Sequence, residues 1–152
     1  MVMLHMQFVI PGFAVKRLFT GGDGQISYNK IQAYYDEEEI AFLRDFPGLK
    51  WKIWSVSSDG RKGYGFYLFE DEDSVRLRKH FAEKFYWRKG MLFVRCRISH
   101  VLEEISLQTK AQLDREANPP ATEAQKKAIL SQPMENPFKK MKRKTEKLKD
   151  VT

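Results

Sequence analysis

The sequence predicts an α+β domain of the ferredoxin-like, split βαβ kind, built on an antiparallel four-stranded sheet. Three observations predict it. Strand and helix signals alternate in the order strand, helix, strand, strand, helix, strand, helix. The two middle strands are joined by a tight turn, Ser58-Asp59-Gly60, so they form a hairpin. Those strands also carry aromatic side chains on both faces, and a sheet of that composition needs cover on both.

Leu4, Met6, Phe8 and Ile10 alternate with His5, Gln7 and Val9, a period of two that Pro11-Gly12 stops. Gly21-Gly22-Asp23-Gly24 reads as a loop. Residues 27–45 read as one helix, with Ser27 as cap and Ile31, Tyr35, Phe42 and Phe46 at helical spacing. Asp36 to Glu39 interrupt that stripe, and Pro47-Gly48 ends it. The second strand, residues 49–57, puts Leu49, Trp51 and Ile53 on one face and Trp54 and Val56 on the other. The third, 62–70, divides Tyr64, Phe66 and Leu68 from Tyr67 and Phe69. Asp71-Glu72-Asp73 opens a helix whose stripe is Leu77, Phe81 and Phe85, because carboxylates suit the positive end of the helix dipole. Residues 91–99 form the fourth strand, with Leu92, Val94, Cys96 and Ile98 opposite Met91, Phe93, Arg95 and Arg97. Residues 101–115 read as a last helix.

In this topology helices cover one sheet face only. The other face would expose a sizeable apolar patch, and the simplest cover is an identical chain. A homodimer with facing sheets is therefore expected. The folded domain is placed at 1–115, and 116–152 is read as a Pro-containing linker and basic tail, expected to be mobile. A short helix capped by Thr122, with Ile129 and Leu130 as its strongly apolar residues, interrupts it.

Charge follows the same division. The chain of 152 residues carries +7, but residues 139–152 hold seven basic groups against two acidic ones, so the body is nearly neutral. Polyanion binding is expected of Lys139, Lys140, Lys142, Arg143 and Lys144, whose run suits nuclear import or an acidic partner. No apolar run approaches the roughly 18 residues of a membrane span. A single cysteine excludes an internal disulfide, and no secretory leader is read at the N-terminus. An intracellular, cytoplasmic location is expected, with the nucleus as the alternative that the tail allows.

Two stretches carry a family resemblance. Pro47-Gly48-Leu49-Lys50-Trp51-Lys52-Ile53-Trp54 and Gly65-Phe66-Tyr67-Leu68-Phe69-Glu70-Asp71-Glu72-Asp73-Ser74 resemble segments of the YdhR-like mono-oxygenases, and the resemblance covers residues 3 to about 113. It implies a dimeric α+β barrel, related to cofactor-independent and haem-degrading oxygenases. This sequence departs from the pattern by inserting Arg17 to Gln25, which is expected to reshape a pocket mouth, and by its tail.

A cofactor-free oxygenase needs an apolar cavity, a group that favours a substrate anion, and exclusion of water. Trp51, Trp54, Tyr64 and Tyr67 supply aromatic walls with polar tips, against a packing role that is the commoner fate of such residues. His5, Arg95 and His80 are the candidate catalytic residues. Arg95 shares a face with Arg97, a pair suited to an anion, though such pairs are more often solvated. His80 and Glu83, three apart on a helix, resemble part of a metal or haem-ligand set, but no third ligand is evident. No metal site and no cofactor is expected. Gly63-x-Gly65 lacks the third glycine of a dinucleotide fingerprint and precedes a strand.

Two functions follow as expectations. The first is a mono-oxygenase acting on a hydrophobic aromatic small molecule. The alternative is a non-catalytic ligand-binding or assembly dimer whose tail contacts nucleic acid or an acidic partner.

Overall fold

The computed structural model describes residues 1–88, 93–131 and 145–151. Strands β1 (Val2–Val9), β2 (Leu49–Val56), β3 (Lys62–Phe69) and β4 (Phe93–His100) form one sheet in the order β2-β3-β1-β4. Every neighbouring pair is antiparallel, as the split βαβ pattern requires. On the helix side, Leu4, Met6 and Phe8 of β1 sit in register with Tyr67, Gly65 and Gly63 of β3, and Leu4 and Met6 are fully buried. The other face carries His5 beside Phe66, Gln7 beside Tyr64 and Met3 beside Leu68.

Between β1 and β2 the chain makes a short turn α1 (Gly12–Ala14), a π-helical stretch Val15–Phe19, and then two helices rather than the one expected, α2 (Tyr28–Ala33) and α3 (Glu37–Arg44). Ser27 caps α2 through its side chain, as read from the sequence. The break lies where acids interrupt the apolar stripe. Asp36 accepts the backbone N–H of Glu39 at 3.0 Å, and the Glu39 carboxylate accepts the N–H of Asp36 at 3.2 Å. This capping box satisfies orphan donors and so starts a new helix inside the predicted one.

A bulge between Leu49 and Trp51 corrects the expected facing of β2. Leu49 pairs with Phe69 and is buried on the helix side, whereas Trp51 pairs with Leu68 on the other face. One extra residue, Lys50, flips the alternation. Gly48 just before it has φ 71°, and a side chain there would collide with Ser74. Ser74 is itself held by Asp71, whose carboxylate accepts from the Ser74 backbone and hydroxyl at the start of α4 (Glu72–Arg88).

After β4 the expected helix over 101–115 shortens to α5 (Glu103–Gln108). Thr109 returns its hydroxyl to the Ser106 carbonyl and Lys110 adopts φ 65°, a left-handed termination. The chain then runs extended past Trp51, whose indole N–H donates to the Gln112 carbonyl at 2.8 Å. Lys50 Nζ donates to the carbonyls of Leu113 and Arg115 at 3.2 and 2.9 Å. These bonds to β2 hold the segment out of a helix. Leu113 is buried, and Leu68 of the same sheet face has no exposed surface.

Residues 116–131, placed outside the domain by their breaker pairs, are bonded to it. Asn118 exchanges backbone hydrogen bonds with Gly48 and Leu49 at 3.1 and 3.0 Å. Its side-chain amide donates to the carbonyls of Arg44 and Phe46, each at 2.8 Å, beyond the end of α3. Helix α6 (Glu123–Leu130), capped by Thr122 as expected, packs on α4 and buries Ile129. Further on, Leu148 is buried in the same core cluster. The stretch Lys139, Lys140, Lys142, Arg143 and Lys144 lies outside the described residues.

Asn118→Ala removes both amide bonds to the end of α3. The expected loss of stability is about 1–2 kcal/mol, read as a shifted midpoint in urea unfolding. An unchanged midpoint would mean the tie is not formed.

Candidate functional site

The helix side of the sheet holds a small apolar chamber of about 180 Å³. Its floor is Phe8, Trp54 and Gly63, and its roof is Phe19, Ile31 and Tyr35. Gly63 matters here for closeness of approach, since a side chain would strike the Phe8 ring. Phe19 comes from the inserted stretch, so part of that insertion does form a wall.

Trp54 is the pivot of the site. Its ring meets Tyr35 edge-on at 4.5 Å between centroids. Lys52, two residues earlier on the same strand face, places Nζ 2.9 Å from the Trp54 ring centroid and 4.7 Å from that of Tyr67. The Lys52 ammonium nitrogen is shielded from water. Next in line, the Tyr67 hydroxyl accepts from Arg78 Nη2 at 2.9 Å. The Arg78 guanidinium is fully buried and lies 5.0, 5.7 and 5.5 Å from the rings of Tyr67, Phe46 and Phe81. Glu39 of α3 is the buried carboxylate of this layer, 8% exposed. Beyond Trp54, at the edge of β2, opens a second cleft of about 360 Å³ that both Trp54 and Lys52 line.

The layer can therefore bind a flat ring and favour an anion on it. Aromatic walls contribute burial and edge contacts, and desolvated cations beside them act far more strongly than in water. The phenols of Tyr34 and Tyr35 are pushed well above their ordinary range. Removal from water is the main cause for both; Glu39 adds to it for Tyr34, and Tyr34, Tyr67 and Glu39 add to it for Tyr35.

The sequence-derived residues divide between the two sheet faces. Trp54 and Tyr67 stand on the helix side, whereas Tyr64 stands on the outer face beside Gln7, its strand position bordering the chamber. Trp51 lies across the sheet at the β2 edge. His5 and Arg95 also lie on the outer face. His5 stacks on Phe66, with ring centroids 4.6 Å apart and planes 4° from parallel, and stands in register with Arg97. Its Nε2 is out of water without a hydrogen-bond partner among the described residues. Arg95 is exposed, opposite Gln7. His80 is exposed on α4. Among the described residues no group of three or more His, Cys, Asp or Glu side chains is placed to hold a metal. Residues not named as site candidates from the sequence, Lys52, Arg78, Glu39 and Tyr35, carry much of the site. Their signals were present: Lys52 alternates in phase with Trp54, and Arg78 lies three residues from both Val75 and Phe81 on the packing stripe of α4.

A family model described as "Putative mono-oxygenase ydhR" matches residues 32–112. That span runs from the end of α2 past α5 and so includes Lys52, Trp54, Tyr67 and Arg78. A comparison with curated proteins gives no match.

Tyr34 and Tyr35 stay protonated in the folded chain at pH values where an unfolded tyrosine ionises, near 10. The folded state then binds more protons than the unfolded one, so stability is intact below about pH 10 and falls above it, by up to roughly 1.4 kcal/mol per pH unit per group. Urea unfolding at stepped alkaline pH checks this, and Tyr35→Phe is expected to flatten the slope.

Proposed function

We propose, from the premise that the chain belongs to the putative mono-oxygenase ydhR family, that it oxygenates a hydrophobic aromatic small molecule without a cofactor, as a homodimer. The observation that carries the reading is the chamber walled by Phe8, Tyr35 and Trp54, with a shielded ammonium against its Trp54 wall. A dry cavity of about 150 Å³ is known to accommodate benzene, so this volume suits one substituted ring.

The reaction needs the substrate to supply all four electrons that dioxygen takes up, with no external reductant. An electron-rich aromatic anion reacts with dioxygen, one oxygen atom stays in the product, and the other leaves as water with two substrate hydrogens. The protein's part is to hold the ring against Trp54, keep water out, and favour the anion through Lys52 and the Tyr67–Arg78 pair. This reading prefers Lys52 to His5, Arg95 and His80, because His5 and Arg95 stand on the opposite sheet face and His80 faces solvent.

The dimer is supported by the outer face. Ile53 there is 55% exposed, next to half-buried Phe66 and Tyr64. The segment after α5 crosses the Trp51 end, leaving that part for a second copy.

Oxygen uptake with dihydroxyaromatic or anthrone-type substrates, together with one labelled atom from heavy dioxygen in the product, checks the activity. Trp54→Ala is expected to lower kcat/KM by about tenfold or more, the effect of losing one wall contact in the transition state. No uptake with any such compound would overturn the reading. For the dimer, sedimentation at micromolar concentration is expected to give two copies, and Ile53→Lys to give one. A monomeric wild type would refute it.

A further inference from the structure

Strand β2 is one edge of the sheet, and that edge falls into two halves. The first half is already met by an extended part of this chain. Asn118 bonds there to the backbone of Gly48 and Leu49, and the Trp51 indole reaches the Gln112 carbonyl. The second half, residues 53–56, has no strand beside it among the described residues. Ser57 donates its N–H to the Lys62 carbonyl at 2.8 Å, so the odd-numbered residues of this half bond inward to β3. By alternation, the N–H and C=O groups of Trp54 and Val56 point off the sheet edge.

The opposite edge, β4, is guarded by exposed Arg95 and Arg97, whereas residues 53–56 carry no charge. Ile53 and Trp54 are both exposed although they stand on opposite faces. A second copy covering the outer face would bury Ile53 and leave Trp54 bare, but a strand laid along the edge borders both. The chamber opens on this same edge. Of its lining residues, Trp54 and Ser55 on β2 and Tyr28 and Gln32 on α2 are exposed, so its mouth lies between the edge and α2. In an antiparallel added strand, the residue opposite Trp54 or Val56 turns its side chain to the helix side and its own N–H and C=O to β2. That side chain meets the chamber mouth, and about 180 Å³ holds one ring. The β2 strand of a second copy does not fill this role, since its Trp54 and Val56 line their own chamber. The hairpin that ends the edge adds a preference of charge. Arg61 and Lys62 are exposed there against the single carboxylate of Asp59, which accepts from the Ser57 hydroxyl and the Arg61 N–H at 2.6 and 3.0 Å.

From these observations we infer that the β2 edge is a docking site for an extended acidic peptide segment bearing an aromatic residue. The segment adds to residues 53–56 as an antiparallel strand and seats its ring in the chamber, so that backbone bonds supply affinity and the chamber supplies selectivity. The neighbouring peptide residues face outward beside Ile53, where apolar side chains are favoured, and flanking carboxylates face the hairpin cations. This binding goes beyond the oxygenase reading and does not rest on it, although a free aromatic molecule and the peptide's ring would compete for one chamber.

The test is fluorescence-anisotropy binding of the full-length protein to a labelled peptide, Glu-Glu-Thr-Val-Phe-Val-Thr-Glu-Glu. All changes are made in the peptide, so the fold of the protein is untouched. Replacing the Phe by Ala is expected to weaken binding about tenfold, the loss of a ring from its pocket. N-methylation of the Phe amide, which faces β2, is expected to cost about tenfold, whereas methylation of the next Val amide, which faces away, changes affinity by less than about twofold. Exchanging the Glu residues for Lys should weaken binding about threefold or more, an effect that shrinks as salt is raised. No binding of the parent peptide, equal affinities of the two methylated peptides, or an Ala or Lys peptide that binds as tightly as the parent would overturn the inference.

Discussion

A guanidinium buried under aromatic rings sets most of what surrounds it. Arg78 has no exposed surface, and removing such a group from water costs several kcal/mol unless its surroundings answer for it. Part of the answer is the Tyr67 hydroxyl, and part is the faces of Tyr67, Phe46 and Phe81. The Tyr67 ring in turn needs room. It lies over Gly65, where a Cβ would come within 2.7 Å of the ring. Next to it on β2 stands Lys52, which sits over Tyr67 and Trp54 together. A line of contacts thus runs from α4 through the sheet to the chamber.

The two sheet faces solve different problems. The helix side is packed by α2, α3 and α4 and holds the charged layer and the chamber, whose Trp54 wall keeps 40% of its surface exposed. The outer side is closed only in part, by the chain that follows α5. That chain is held by Trp51 and Lys50, and beyond it Asn118 ties the backbone to Gly48 and Leu49. Trp51 therefore acts as an anchor for the connection that follows α5. The tryptophan three residues later has the opposite aspect and belongs to the chamber.

Much of this was legible in the sequence. The alternation in β1 and β3 assigned their faces, because the register on a half-buried strand leaves one choice. Ser27 and Thr122 announced their helices through the side-chain oxygen each presents to the backbone. Other features were hidden by competing effects of similar size. Asp36 and Glu39 looked like a blemish in one helix, but reciprocal capping made them a boundary. Lys50 looked like an ordinary strand residue, but a bulge there reversed Leu49. Residues 109–115 had helical composition, yet their bonds to β2 pulled them straight. The candidate site divided in the same way: Trp54 and Tyr67 were named from their strand positions, whereas Lys52 and Arg78 were not named as site residues, since a charged residue is rarely buried.

The sequence by itself determined the order of elements, the antiparallel sheet, the faces of β1 and β3, and the concentration of positive charge in residues 139–152. These depend on local periodicity and composition, which need no knowledge of distant contacts. Only the tertiary structure decided that Lys52 and Arg78 converge on Tyr67, that Trp54 divides a chamber from a cleft, and that His5 and Arg95 stand across the sheet from both. Those facts depend on which residues far apart in the chain share a face and a layer, and one bulge or one capping box is enough to change that.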